Sequence, residues 1–273
     1  MSVMKPSELN VSKLEFSDLK TLNNGGKMIF VNYDNNLINL QTPELRLPWD
    51  VNADYAEDAN GKYNFTVSLD GYDSDKNVKE FYEKLAEMDD AIRKHAKENS
   101  MVFFKRKSAS DELVDTNYNP IIKLSKTDGE PDGRYPPSIK LKIQKKDDKC
   151  QCKFYNSQKE KFDVDSREEG NVRIEDILVK EAKCKMLIRC NGIWLINGKF
   201  GCTWKVEQLR TEVPTKKLDD YAFRDDDEDV EFVESEEEIN SDDSDDNLES
   251  SDEEEVVESP KKEKKVRKGK TTK

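Results

Sequence analysis

Two stretches of the chain alternate basic and apolar side chains at the two-residue period of a β-strand. In the first, Lys140 and Lys142 oppose Ile139, Leu141 and Ile143; in the second, Lys183, Lys185 and Arg189 oppose Cys184, Met186, Ile188 and Cys190. Successive side chains of a strand point to opposite faces, so each stretch carries a basic row over an apolar floor. Lys153, Lys199, Lys205 and Arg210 lie on or beside neighbouring strand segments, as do Lys145 and Lys146. Together these cations can line a positive concave face for a polyanion such as a phosphate backbone. For any one row, an ordinary solvated strand face is the alternative.

Aromatic residues share these segments: Phe154, Tyr155, Trp194, Phe200 and Trp204. A ring beside a basic groove can stack on an unpaired base, which contributes roughly 1–3 kcal/mol per base. Alternation puts Phe200, Cys202, Trp204 and Val206 on one face, which is expected to be internal, leaving Trp194 and Tyr155 as the stacking candidates. The expected nucleic-acid contacts are therefore Lys140, Lys142, Lys153, Tyr155, Lys183, Lys185, Arg189, Trp194, Lys199 and Lys205.

Other chemistry finds little material. His95 is the single histidine, and there is no Walker loop, GxSxG or HExxH, so neither catalytic residues nor a cofactor are expected. The five cysteines (Cys150, Cys152, Cys184, Cys190 and Cys202) lack a CxxC pair. A four-thiolate zinc site built on Cys150 and Cys152 is the alternative to their role as small apolar strand residues, and the structural role is preferred. The acidic cluster Asp70, Asp73 and Asp75 lacks the spacing and glutamate of a calcium loop and reads as turn and cap chemistry.

The elements that must position these residues follow from periodicity. Residues 27–42 read as two strands about Asp34-Asn35-Asn36, after which Pro43 and Pro48 are expected to break the pattern. Tyr63 to Leu69 alternates as a strand and ends at Asp70-Gly71. From a Ser74 cap, Val78, Phe81, Tyr82, Leu85, Met88 and Ile92 recur at helical steps, predicting a helix over 75–99 and another short one over 111–117. Strands are predicted at 121–124, 138–144, 151–155, 182–190, 193–196 and 200–212, with polar loops at 56–62, 105–112, 125–134 and 156–170. The set predicts a mainly β, α+β fold: an oligonucleotide-binding-type antiparallel barrel with an inserted helix.

Charge divides the chain. Residues 225–258 hold 20 Asp or Glu and no Lys or Arg, residues 259–273 hold 8 Lys or Arg and one Glu, and the first 224 residues carry 38 acids against 38 bases. The predicted organisation is a folded domain over 1–224, a disordered acidic tail over 225–258 and a disordered basic terminus over 259–273. Apolar runs are too short for a bilayer span, and Met1 to Lys13 has no apolar stretch after a basic start. No membrane association is expected, and a reducing intracellular compartment is.

Several short motifs occur in order: Gln41-Thr42-Pro43 before Pro48-Trp49, Ser68-Leu69-Asp70-Gly71-Tyr72-Asp73, Tyr118-Asn119-Pro120, Gly192-Ile193-Trp194, and Gly198-Lys199-Phe200-Gly201-Cys202-Thr203-Trp204-Lys205-Val206. Together they resemble a family encoded by large nucleocytoplasmic DNA viruses, itself similar to the single-stranded-DNA-binding proteins of T7-like phages. The resemblance spans roughly residues 5–224. It implies an oligonucleotide-binding fold that coats single-stranded DNA during viral replication, without catalysis, in the host nucleus, at a cytoplasmic replication site or packaged in the virion. Such phage proteins end in an acidic tail with a terminal aromatic residue; that tail competes with DNA and recruits replication proteins. Here a basic block over 261–270 follows the acidic run and no aromatic closes it.

By its charge the acidic run mimics phosphates, and a solubilising role is its alternative. Ser235, Ser241, Ser244, Ser250 and Ser251 each precede acids, and phosphorylation there would strengthen the mimicry. The basic terminus reads equally as an import signal, an extra DNA contact or a clasp on the acidic run. The preferred function is single-stranded DNA binding, with DNA polymerase, helicase or other replication proteins as tail partners and a homodimer allowed. The alternative is a histone-chaperone-like or virion scaffold protein that binds basic partners.

Overall fold

A computed structural model describes residues 3–23, 25–52, 61–165 and 172–212; the acidic segment 225–258 and the basic segment 259–273 lie outside the described residues. Five strands form the frame: β1 (Asn39–Arg46), β2 (Lys62–Ser68), β3 (Ser138–Lys146), β4 (Lys183–Ile196) and β5 (Lys199–Thr211). β1 pairs with β4 and β4 with β5, both antiparallel; β3 pairs antiparallel with β2, and β2 returns to β1 through Ser68 and Arg46. The ring closes where β3 and β5 run parallel, Leu141 beside Trp204 and Lys142 beside Lys205. This is the five-stranded Greek-key barrel of the oligonucleotide-binding fold. One of its five pairings is thus parallel, a feature that alternation alone cannot reveal.

Alternation fixes what fills the barrel. Phe65, Val67, Ile139, Leu141, Ile143, Cys184, Met186, Ile188, Cys190, Phe200, Trp204 and Val206 are all buried. Cys152 and Cys202 are buried too, and all five cysteines are free thiols. Burial raises the Cys152 and Cys184 thiols above the ordinary range, as expected of inert packing residues.

Between β2 and β3 the chain forms α1 (Lys76–Glu98), α2 (Ser100–Phe104) and α3 (Asp111–Asn117); α4 (Ile174–Ile177) precedes β4. Val78, Phe81, Leu85, Met88, Ile92 and Ala96 bury one face of α1. The cap of α1 is Asp75 rather than the expected Ser74: the Asp75 carboxylate accepts from the Asn77 and Val78 amides at 2.9 Å. α2 and α4 are too short for periodicity to announce them.

Several predicted boundaries move. The two strands predicted over 27–42 are four, Lys27–Ile29, Val31–Tyr33, Asn36–Leu37 and the start of β1, and the predicted loops 125–134 and 156–170 contain the short strands Lys126–Thr127, Glu130–Pro131 and Lys161–Phe162. Pro43 was expected to end a strand but lies inside β1, because the pairing with β4 slips there and the Met186 amide donates to Thr42 Oγ1 at 3.0 Å instead of to a ladder carbonyl. The segments 182–190 and 193–196 form one strand, β4, joined through a bulge at Asn191: Cys190 faces Trp204 and Gly192 faces Thr203. Gly192 has φ +106°, and a Cβ there would stand 2.6 Å from the Ile29 carbonyl oxygen, so only glycine allows the strand Lys27–Ile29 to pair with the end of β4. The predicted hairpin at Asp34-Asn35 is present, both residues having positive φ.

Candidate nucleic-acid interface

Side chains of β2 and β3, with Asn64 buried among them, converge on a groove of about 330 Å³. Lys140 and Lys142 come from β3, Lys62 and Asn64 from β2, Lys123 from the segment entering β3, and Trp194 with Thr203 from β4 and β5. Lys142 lies opposite Asn64 and Gln144 opposite Lys62, so regular antiparallel register sets the spacing of the cations.

The bulge at Asn191 aims Trp194. Along β4, residues 184, 186, 188 and 190 face inward; the extra residue reverses the phase, so that Ile193 is buried and Trp194 turns to the groove, half-buried. Gly201 lies beneath the ring. A Cβ there would stand 3.0 Å from Trp194 Cζ2 and 2.6 Å from the Asn119 carbonyl oxygen. The glycine therefore admits both the indole and the parallel pairing of Tyr118–Asn119 with β5.

That neighbouring segment is held by α1. Buried Asp89 accepts from the Tyr118 hydroxyl, the Ile121 amide at 2.8 Å and the Ile122 amide at 3.2 Å. Burial raises its carboxyl above the usual range, opposed by these three donors and by Arg93. The Arg93 guanidinium lies over the Tyr118 ring, 5.1 Å from its centroid. The helix thus fixes the groove wall on which Lys123 stands.

Cations crowd the groove. Neither Lys140 nor Lys142 takes part in an ion pair among the described residues. Burial, then repulsion from Lys62 and Lys140, lowers the Lys142 ammonium below the ordinary lysine range; Lys123 is lowered by burial and by Lys140 and Lys126, against a raising influence of Asp89. An arriving anion offsets that repulsion. Trp204 lines the same groove, with its buried indole N–H lacking an acceptor among the described residues.

The structure separates the other expected contacts. Tyr155 and Lys185 line a second groove, also about 330 Å³, with Lys159 and Arg210. Lys153 lies beside Gln208 in the parallel pairing of Lys153–Tyr155 with β5. Lys183 is exposed at the start of β4, opposite Arg46, and Lys199 is exposed at the β4–β5 turn. Arg189 and Lys205 share Glu207, whose Oε1 is 3.3 Å from one and 2.8 Å from the other. Lys62, Asn64 and Lys123 line the first groove and are not among the contacts expected from the sequence. Lys62 and Asn64 are in phase with each other and out of phase with Tyr63 and Phe65, a signal present in the pattern, whereas nothing local marks Lys123.

Solved structures similar to the chain include a single-stranded DNA-binding protein from bacteriophage Enc34 in complex with single-stranded DNA: 12% identity, TM-score 0.38, covering 74% of this chain and 97% of that one. Another is a single-stranded DNA binding protein encoded by bacteriophage T7, with 13% identity and TM-score 0.41, covering 68% of this chain and 98% of that one. No curated protein sequence matches. Residues 67–227 match a family of unknown function, DUF5871, over more than half of the chain, and the chain belongs to that family.

Proposed function

We propose that this protein binds single-stranded DNA through the β2–β3 face of its barrel, without catalysis. The observation that carries the reading is the gathering of Lys62, Lys123, Lys140 and Lys142 around one groove beside the half-buried Trp194. Crowded cations favour a polyanion, and a ring next to them favours one whose bases are free to stack. Oligonucleotide-binding barrels use this strand 2–3 face and the adjoining loops for such ligands.

In this reading the protein coats and protects DNA during viral replication, at an intracellular replication site. The acidic segment 225–258, with 20 carboxylates and no base, competes for the groove as a tethered phosphate mimic and recruits replication proteins such as a polymerase or helicase. Its charge and its covalent attachment support that role.

Titration of the full chain with fluorescent oligo-dT at low salt tests the reading, with duplex and RNA probes beside it. Binding of oligo-dT that weakens with salt is expected. Failure to bind it, together with capture of histones or a basic capsid protein, would favour the chaperone or scaffold reading that the acidic segment also permits.

A further inference from the structure

We propose that the second groove, beside Tyr155, is a further nucleotide site on the path of the same strand, set apart from the first by Glu207. The inference rests on the β2–β3 face being the primary site.

The groove has the parts a nucleotide needs. Tyr155 presents a half-buried ring, and Lys185 and Arg210 face each other across β4 and β5. Neither cation takes part in an ion pair among the described residues. Gln41 and Gln208 bring amide donors and acceptors suited to base edges, over an apolar floor that includes Leu209. Charge complementarity thus favours a phosphodiester, and the ring and amides favour an unpaired nucleotide over a plain anion.

The two grooves lie on one line. β5 lends Thr203 and Trp204 to the first and Gln208 to Arg210 to the second, and Lys142 of the first groove is register partner of Lys205. From Thr203 to Arg210, with the bulged Glu207 left out, is six steps of strand, about 20 Å at strand rise. Midway stands a second β-bulge. Leu187 faces Gln208 and Ile188 faces Val206, which leaves Glu207 as the extra residue. Bulges re-aim side chains. This one places a carboxylate between Arg189 and Lys205 and brings Gln208 and Arg210, rather than Leu209, to the outer face. A strand crossing from one groove to the other meets a region whose two cations are already partly neutralised. Each groove therefore holds its nucleotides as a separate unit, and Glu207 weakens their connection.

The test compares oligo-dT of roughly four nucleotides with roughly sixteen, the lower and upper ends for a single barrel of this type. In the full chain, Lys185→Glu with Arg210→Glu should weaken the long probe about tenfold and lower its salt slope by about 1.4 for two lost phosphate contacts, and weaken the short probe, which the first groove still holds, much less. Glu207→Gln, which leaves the cations in place, should tighten the long probe about threefold and leave the short one unchanged. The inference is overturned if both probes respond equally, if the long probe ignores both changes, or if the double variant loses only binding of a polyglutamate peptide, which would assign the groove to an acidic polypeptide. Failure of wild-type protein to bind either probe would instead remove the primary reading.

Discussion

The β2–β3 face and the β4–β5 face are built from the same alternation of basic and apolar residues, yet they treat their cations differently. On β2–β3 the register is unbroken and brings Lys62, Lys140 and Lys142 together around one groove. On β4–β5 two bulges interrupt it; one turns Trp194 toward the groove and the other sets Glu207 between Arg189 and Lys205. A basic row in a strand is therefore not by itself a binding face. Regular pairing concentrates charge, and a single extra residue can redirect a ring or supply a carboxylate that neutralises its neighbours.

The largest expected effect comes from reversing charge on the regular face. Lys140→Glu with Lys142→Glu should weaken oligo-dT binding at least 100-fold at low salt without lowering the unfolding midpoint by more than a few degrees. The same reversal at Arg189 and Lys205 should cost less than tenfold, because Glu207 already holds that pair. Equal losses at the two sites would erase the distinction between the faces.

Next in size is the ring turned by the bulge. Trp194→Ala should cost about 1–3 kcal/mol of binding, the worth of one stacked base, while circular dichroism stays that of wild type. Loss of the fold would show the ring to be core. Gly201→Ala places a Cβ against the Trp194 ring and the Asn119 carbonyl, so it should lower affinity and stability together.

The smallest effect is a pH dependence. Lys142 and Lys123 are lowered below the ordinary lysine range, so they lose charge before exposed lysines do as pH rises toward 10. Affinity should fall about two- to threefold over that interval, and Lys142→Arg should remove part of the fall. The DNA-free fold should move the other way. The unfolded chain holds these protons to higher pH, so stability rises between the folded and unfolded values. Parallel changes in affinity and stability would contradict the assignment.

Period-two alternation was enough to place Lys140 and Lys142 opposite the buried face of β3 and to find the inward face of β5, and helical spacing was enough to find the core stripe of α1. Both signals are local, and each residue's environment follows from its neighbours along the chain. Long-range relations were not legible in that way. The parallel closure of β3 on β5, the approach of Lys123 to Lys140 and the grip of Asp89 on residues 118–122 depend on segments that meet only in the fold. The bulges were hidden for another reason. The predicted strands break between residues 190 and 193, but the extra residues are Asn191 and Glu207, and only the paired strand reveals them.

The salt dependence of oligo-dT affinity tests the central claim most directly. If Lys62, Lys123, Lys140 and Lys142 each meet a phosphate, they contribute about 2.8 to the magnitude of the log–log slope, and Lys140→Glu with Lys142→Glu should lower that magnitude by about 1.4 or more. A wild-type affinity independent of salt, or a slope that the double variant leaves unchanged, would contradict the assignment of the β2–β3 face as the binding surface.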